Sequence, residues 1–127
     1  MPPTFATVLT CMDGRVQRPV AEYLCGRFAV DCLDTITEAG IIAFLADRPG
    51  APETLSALAK IRISTGHHGS TRMAVVAHAD CAGNPVSDEE QIAQVGRAVT
   101  FLRQRCGKCE ILALWLDDGW TVHEVGT

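Results

Sequence analysis

Two short stretches place reactive side chains at close spacing. VLTCMDGR (8–15) ends an apolar run in a thiol, Cys11, an acid, Asp13, and a guanidinium, Arg15. MAVVAHADCAGNP (73–85) ends another in an imidazole, His78, and a thiol, Cys81. Together Cys11, His78 and Cys81 offer two sulfurs and a ring nitrogen, a Cys2His set that leaves a fourth position to fill, as in catalytic rather than closed structural zinc sites. Soft sulfur with imidazole favours Zn2+ over Mg2+ or Ca2+. Arg15 can hold Asp13 in a two-pronged, charge-assisted pair. The carboxylate then either orients a water on the metal or, if Arg15 lets go, takes the fourth position itself. Zinc lowers the pKa of such a water to about 7. A single cysteine at a strand end is most often a small core residue, and H-x-x-C alone is a weak signal. The metal reading rests on the two motifs occurring together at the ends of two strands.

The elements that must bring them together are legible in outline. TFATVLT (4–10) is a short β-rich run that reads as a buried strand. RPVAEYLCGRF (18–28) reads as a helix, with Pro19 in its first turn and Gly26 at its end. AVDCLD (29–34) reads as a second strand, and TEAGIIAFLAD (37–47) as a short helix or a loop running into one. APETLSALAKIRISTG (51–66) suits a helix opening near Pro52 and closing at Gly66, and RMAVVAH (72–78) is a strand. Ser87 and Glu90 have capping-box spacing, with Ile92, Val95, Val99, Leu102 and Cys106 in helical period behind them. EILALWL (110–116) is a fourth strand, DDG a turn, and WTVHEV (120–125) returns antiparallel. This alternation predicts an α/β fold: a mostly parallel four-stranded sheet with helices on both faces and a C-terminal antiparallel fifth strand. Ligands of such sheets sit beyond the carboxyl ends of the strands, where strand order reverses. If strands one and three are neighbours, CMDGR and HADC face each other there.

The bulk properties narrow the partners. The 127 residues suit one domain, 1–127, and the 47% apolar content suits a folded chain. The net charge of −4 comes with no basic stripe, so no nucleic-acid partner is expected. No apolar run approaches the roughly 20 residues that span a bilayer. MPPTFATV has no charged n-region, so no signal peptide is expected. Six cysteines without an export signal point to metal ligation or thiol chemistry in a reducing cytoplasm. Cys106 and Cys109 form a C-x-x-C that could be a redox pair, but it falls at a helix C-terminus, where the dipole disfavours thiolate. Cys25 and Cys32 are expected in the core, His67 and His68 in a solvated turn, and His123 facing solvent. Asp117 and Asp118 belong to a turn completed by Gly119. Trp115 and Trp120 are expected to pack against each other or a partner chain. Many apolar residues around so small a sheet predict a homodimer or higher homo-oligomer.

At the residues that open this section the sequence resembles the β-class carbonic anhydrases, which carry C-x-D-x-R after the first strand and H-x-x-C after the third. The matches are Cys11, Asp13 and Arg15, then His78 and Cys81. VDCLDTITEAG (30–40) is similar to the family's second strand and the loop after it, and ILALWLDDGWTVHEV (111–125) to its last strand and hairpin. Gly14 stands where the family usually has Ser or Ala, and Glu38 where it often has Asn. The resemblance implies a Rossmann-like three-layer domain with zinc on Cys11, His78 and Cys81. Asp13 and Arg15 would be the dyad that releases and orients the metal-bound water. The reaction would be reversible hydration of carbon dioxide to bicarbonate. Relatives also include hydrolases of carbon disulfide-like molecules. The alternative is therefore a zinc-binding relative without this activity, which binds a small anion or a partner or hydrolyses another small substrate. A thiol-redox protein using Cys106 and Cys109 is the third reading.

Overall fold

The structure, a computed structural model, describes residues 2–126. Its elements run β1 (Phe5–Thr10), α1 (Gly14–Phe28), β2 (Cys32–Thr37), α2 (Ile41–Asp47), α3 (Pro52–Gly66), β3 (Arg72–His78), α4 (Asp88–Arg105), β4 (Glu110–Leu116) and β5 (Val122–Val125). One sheet has the order β2-β1-β3-β4-β5, with the first four strands parallel and β5 antiparallel to β4.

The period-2 alternation of strands divides their side chains between two cores. Leu9, Met73, Val75, Ala77, Ile111, Ala113 and Trp115 point to one face, where residues of α2, α3 and α4 such as Leu45, Ile61, Val99 and Leu102 cover them. Ala6, Val8, Ala74, Val76, Leu114 and Leu116 point to the other and meet Val16, Val20, Leu24 and Phe28 of α1. β3 is apolar from Met73 to Ala77 because it is central and buried on both faces. The result is the expected three-layer arrangement. β1 pairs with β2 on one side and β3 on the other, so strand order reverses between β1 and β3. Among the described residues no helix is long and apolar enough to cross a membrane.

Several element boundaries differ from expectation, most consequentially those of α1 and β2. α1 begins at Gly14, so Pro19 lies inside the helix rather than in its first turn. Asp13 is the N-cap and accepts the Arg15 N–H, a role hidden in the sequence by its place in the C-x-D-x-R motif. The helix also runs past Gly26 to Phe28 and closes on Ala29, which is left-handed at φ 53°. Ala29 N–H donates to Gly26 O and Val30 N–H to Cys25 O, a Schellman closure without its usual glycine. Ala29 and Val30 are thus consumed by the helix end, and β2 starts only at Cys32, later than expected. The Ser87 cap forms half of its box. Ser87 Oγ accepts the Glu90 N–H at 3.1 Å, while the Glu90 carboxylate pairs with Arg97.

Several side chains also fall elsewhere than expected. Trp115 is buried on the α2–α4 face and Trp120 packs on the α1 face, so the two tryptophans do not stack. Cys25 and Cys32 are only half-buried and belong to neither apolar cluster. His68 is not simply solvated: its Nδ1 lies 2.6 Å from Asp34 Oδ2 and its ring stacks on Phe5 at 4.2 Å. His123 faces solvent as expected, and its Nε2 sits 2.7 Å from Asp117 Oδ2.

Candidate metal centre at the carboxyl ends of β1 and β3

Cys11 follows the last residue of β1 and His78 is the last of β3, so strand pairing alone sets them side by side. Cys81 must be turned back to join them. Asp80 adopts a left-handed conformation, φ 56°, and reverses the chain there. Asn84 N–H then closes a turn onto Cys81 O. The ligand atoms of Cys11, His78 and Cys81 all lie within 4.8 Å of one another and all three residues are buried. The two sulfurs are 3.9 Å apart.

The polarity of this cluster is the informative feature. His78 Nδ1 lies 2.8 Å from the Ala79 carbonyl, which can only accept, so Nδ1 carries the hydrogen and Nε2 presents a lone pair. That Nε2 is buried and has no hydrogen-bond partner among the described residues. A buried imidazole nitrogen left unpaired beside two thiols is costly unless something electrophilic sits among them. Two sulfurs and a backbone-oriented imidazole make a donor set that fits a soft or borderline cation such as zinc. Burial pushes the Cys81 thiol up, and its neighbour Cys11 adds to this; the N–H groups of Gly83 and Asn84 work in the opposite direction. Gly40 N–H donates to Cys11 Sγ at 3.5 Å.

Two glycines allow that backbone approach. A Cβ on Gly40 would lie 2.5 Å from Gly83 O, and one on Gly83 would lie 2.8 Å from both Ala39 C and Gly40 N. The loop after β2 and the loop after β3 therefore touch backbone to backbone. Behind them a buried amide chain braces the second loop on α4: Asn84 Nδ2 donates to Gln94 Oε1 at 2.6 Å, and Gln91 Nε2 to Asn84 O at 3.0 Å.

Asp13 and Arg15 form the expected two-pronged pair. Arg15 Nη2 donates to Asp13 Oδ2 at 2.7 Å and Arg15 Nε to Oδ1 at 3.1 Å. The guanidinium holds the Asp13 carboxyl well below its usual range, at about 2, against the opposing effect of burial. Arg15 is itself held from two sides. Its Nη1 and Nη2 reach Asp80 Oδ2 and Asp80 O, and its guanidinium carbon lies 4.5 Å from the centre of the Trp120 ring. Gln17 clamps the connecting turn by donating to Cys11 O at 2.8 Å and Asp13 O at 3.0 Å. Gln17, Asp80, Trp120, Gly40 and Gly83 were not singled out as site residues from the sequence. Of the two glycines only Gly83 stands beside a motif, two residues after Cys81; nothing in the sequence ties Gly40 to it.

The family model described as "Putative carbonic anhydrase" matches residues 1–126. The chain belongs to this family. The carbonic anhydrase fold is also what solved structures share with it. It is similar to the carbonic anhydrase of Streptococcus mutans, with a TM-score of 0.65 at 16% identity over 96% of this chain and 81% of that one. It is similar to β-carbonic anhydrase isoform I of Trichomonas vaginalis, with a TM-score of 0.63 at 14% identity over 95% of this chain and 81% of that one. It is also similar to one of two tetrameric β-carbonic anhydrases of Sordaria macrospora, with a TM-score of 0.54 at 14% identity over 98% of this chain and 81% of that one. No curated protein matches the sequence. The likeness to a carbonic anhydrase therefore lies in the whole chain and its fold, and the site chemistry rests on this chain's own residues.

Proposed function

We propose that the protein hydrates carbon dioxide reversibly to bicarbonate, using a zinc ion on Cys11, His78 and Cys81. The observation that carries this is the buried, partnerless His78 Nε2 beside two sulfurs in a chain of carbonic anhydrase fold. Zinc bound there would supply an acidified water, of pKa about 7, as the source of nucleophile at neutral pH. The protein's own part is orientation. Asp13 is ionised at neutral pH and therefore only accepts hydrogen bonds. Placed beside the attacking water, it selects the water's orientation by taking one O–H. Arg15 occupies both carboxylate oxygens from one side, so Asp13 is held to a single direction. Asp80 and Trp120 keep Arg15 in place in turn.

Stopped-flow hydration on zinc-verified protein tests the reading. Asp13→Asn should depress the rate strongly and leave zinc bound. A wild-type rate no greater than that of free zinc across pH 7 to about 9, around and above the pKa of about 7 for zinc-bound water, would sink it. Serine or alanine in place of all three ligands with zinc retained would show that the site itself is misassigned.

A homodimer or higher oligomer is part of the same proposal. It draws support from the tetrameric Sordaria macrospora relatives and from the exposed apolar side chains Met12, Leu55 and Ile63. Light scattering that shows only monomer at micromolar concentration would count against it. The six cysteines are all free, which suits a reducing compartment such as the cytoplasm.

A further inference from the structure

At the opposite end of the sheet, where β3 and β4 begin, lies a cavity of ≈ 820 Å3. It forms between the C-terminal half of α3, the segment leading into β3 and the turn from α4 into β4. Nothing in the proposed hydration uses it. Its size is within the range of small-molecule sites, roughly 300–1,000 Å3.

The chemistry of its lining is two-sided. Leu58, Ile61 and the thiols Cys106 and Cys109 form an apolar wall continuous with the core. Burial pushes both thiols above their ordinary range, so they stay neutral and add no negative charge. Arg62, Arg105 and Lys108 also line the cavity, all three exposed, and no acidic side chain among the described residues lines it. Arg105 rests on the Phe101 ring at 3.8 Å, and Arg62 and Lys108 have no acidic partner among the described residues. Three cations around an apolar hollow, in a chain whose net charge is −4, form a local positive field without an internal counter-ion.

We propose that this cavity is a binding site for a small amphipathic anion, an organic carboxylate whose aliphatic tail lies against Leu58, Ile61 and the two thiols while its head meets Arg62, Arg105 and Lys108. A tail alone would be satisfied by the wall and an inorganic anion by the cations. The combination selects a molecule with both parts. The site is independent of the metal reading, because it shares no residue with it and lies at the other end of the strands.

Sodium octanoate is the probe, with octylammonium as its charge-reversed counterpart and acetate as its tailless one. The zinc-loaded chain is titrated while backbone amide shifts are followed by NMR, and alkylation of Cys106 and Cys109 by iodoacetamide is timed by peptide mass spectrometry. Octanoate should saturate, move the amides of Gly66, Gly69 and Gly107, and slow alkylation of both cysteines severalfold. Octylammonium and acetate should do neither. Arg62→Glu with Lys108→Glu, both on the exposed rim, should weaken octanoate by roughly tenfold, corresponding to about 1.4 kcal/mol. Equal effects of octanoate and octylammonium, full reproduction by acetate, shifts confined to other parts of the chain, or no saturation would each overturn the proposal. The three-probe comparison on the unaltered protein decides the matter even if the double variant folds poorly.

Discussion

At the scale of single residues the site depends most on a side chain that is absent. Gly83 lies against backbone atoms of Ala39 and Gly40 that cannot swing aside. Gly83→Ala must therefore push apart the loops that carry Cys81 and the Gly40 N–H. The expected result is a destabilisation of roughly 1–3 kcal/mol, as for overpacked interiors, together with weaker zinc retention. Urea unfolding and competition with a chelator would measure the two. Trp120 supports Arg15 in a gentler way. An exposed cation–π contact is worth about 0.5–1 kcal/mol. Trp120→Ala should slow the proposed carbon dioxide hydration severalfold without loss of the proposed zinc, and Trp120→Phe should recover most of the rate. Equal rates for Trp120→Ala and wild type would remove Trp120 from the orienting apparatus. Neither effect was readable in the sequence. Gly40 and Gly83 are far apart along the chain, as are Arg15 and Trp120, and each pair meets only when the sheet has formed. The clustering of Cys11, His78 and Cys81 was readable because strand ends are local and both motifs end apolar runs.

Individual elements show the same division. β1, β3 and β4 were placed correctly because each is a mostly apolar run of β-forming residues, as buried strands tend to be. β2 was placed early because it is an edge strand of mixed polarity, in which only Ile36 is fully buried. Its start is set instead by the end of α1, where Ala29 takes the left-handed role usually given to glycine. Ala29 is exposed, so Ala29→Gly relieves a steric penalty of about 1 kcal/mol and should raise the urea midpoint. An unchanged or lowered midpoint would contradict the strain. The β4–β5 hairpin carries a pH signature. Asp117 accepts from Gly119 N–H at 2.9 Å, Thr121 N–H at 3.0 Å and His123 Nε2. The His123 hydrogen bond is the largest of the influences that hold its carboxyl below the ordinary value. A carboxyl lower in the folded than in the unfolded chain stabilises fully above the unfolded pKa, about 3.9 for Asp. That stabilisation is lost as pH falls through the lower folded value. Amide protection in residues 117–123 should therefore fall selectively in acid, and Asp117→Asn should make it low and flat across the same range.

For the whole molecule, the two apolar cores close on both faces of the sheet without any help from the candidate metal centre. The proposed zinc should therefore add stability rather than create the fold. Removing it with a chelator should lower Tm while the far-ultraviolet circular dichroism keeps its native shape, since a ligand stabilises only by its binding free energy at the prevailing concentration. An apo chain with no thermal transition would show instead that the centre organises the fold. The β2-β1-β3-β4-β5 order also has a meaning in time. β1 can pair with β2 early, but its other edge waits for β3. Cys11 is made 70 residues before Cys81, a delay of several seconds at about 5–20 residues per second on the ribosome. Throughout that interval the nascent chain carries a thiol whose two companions have not been translated. Capture of the proposed zinc would therefore belong to the late part of biosynthesis, and Cys11 would have to stay reduced until its partners arrive.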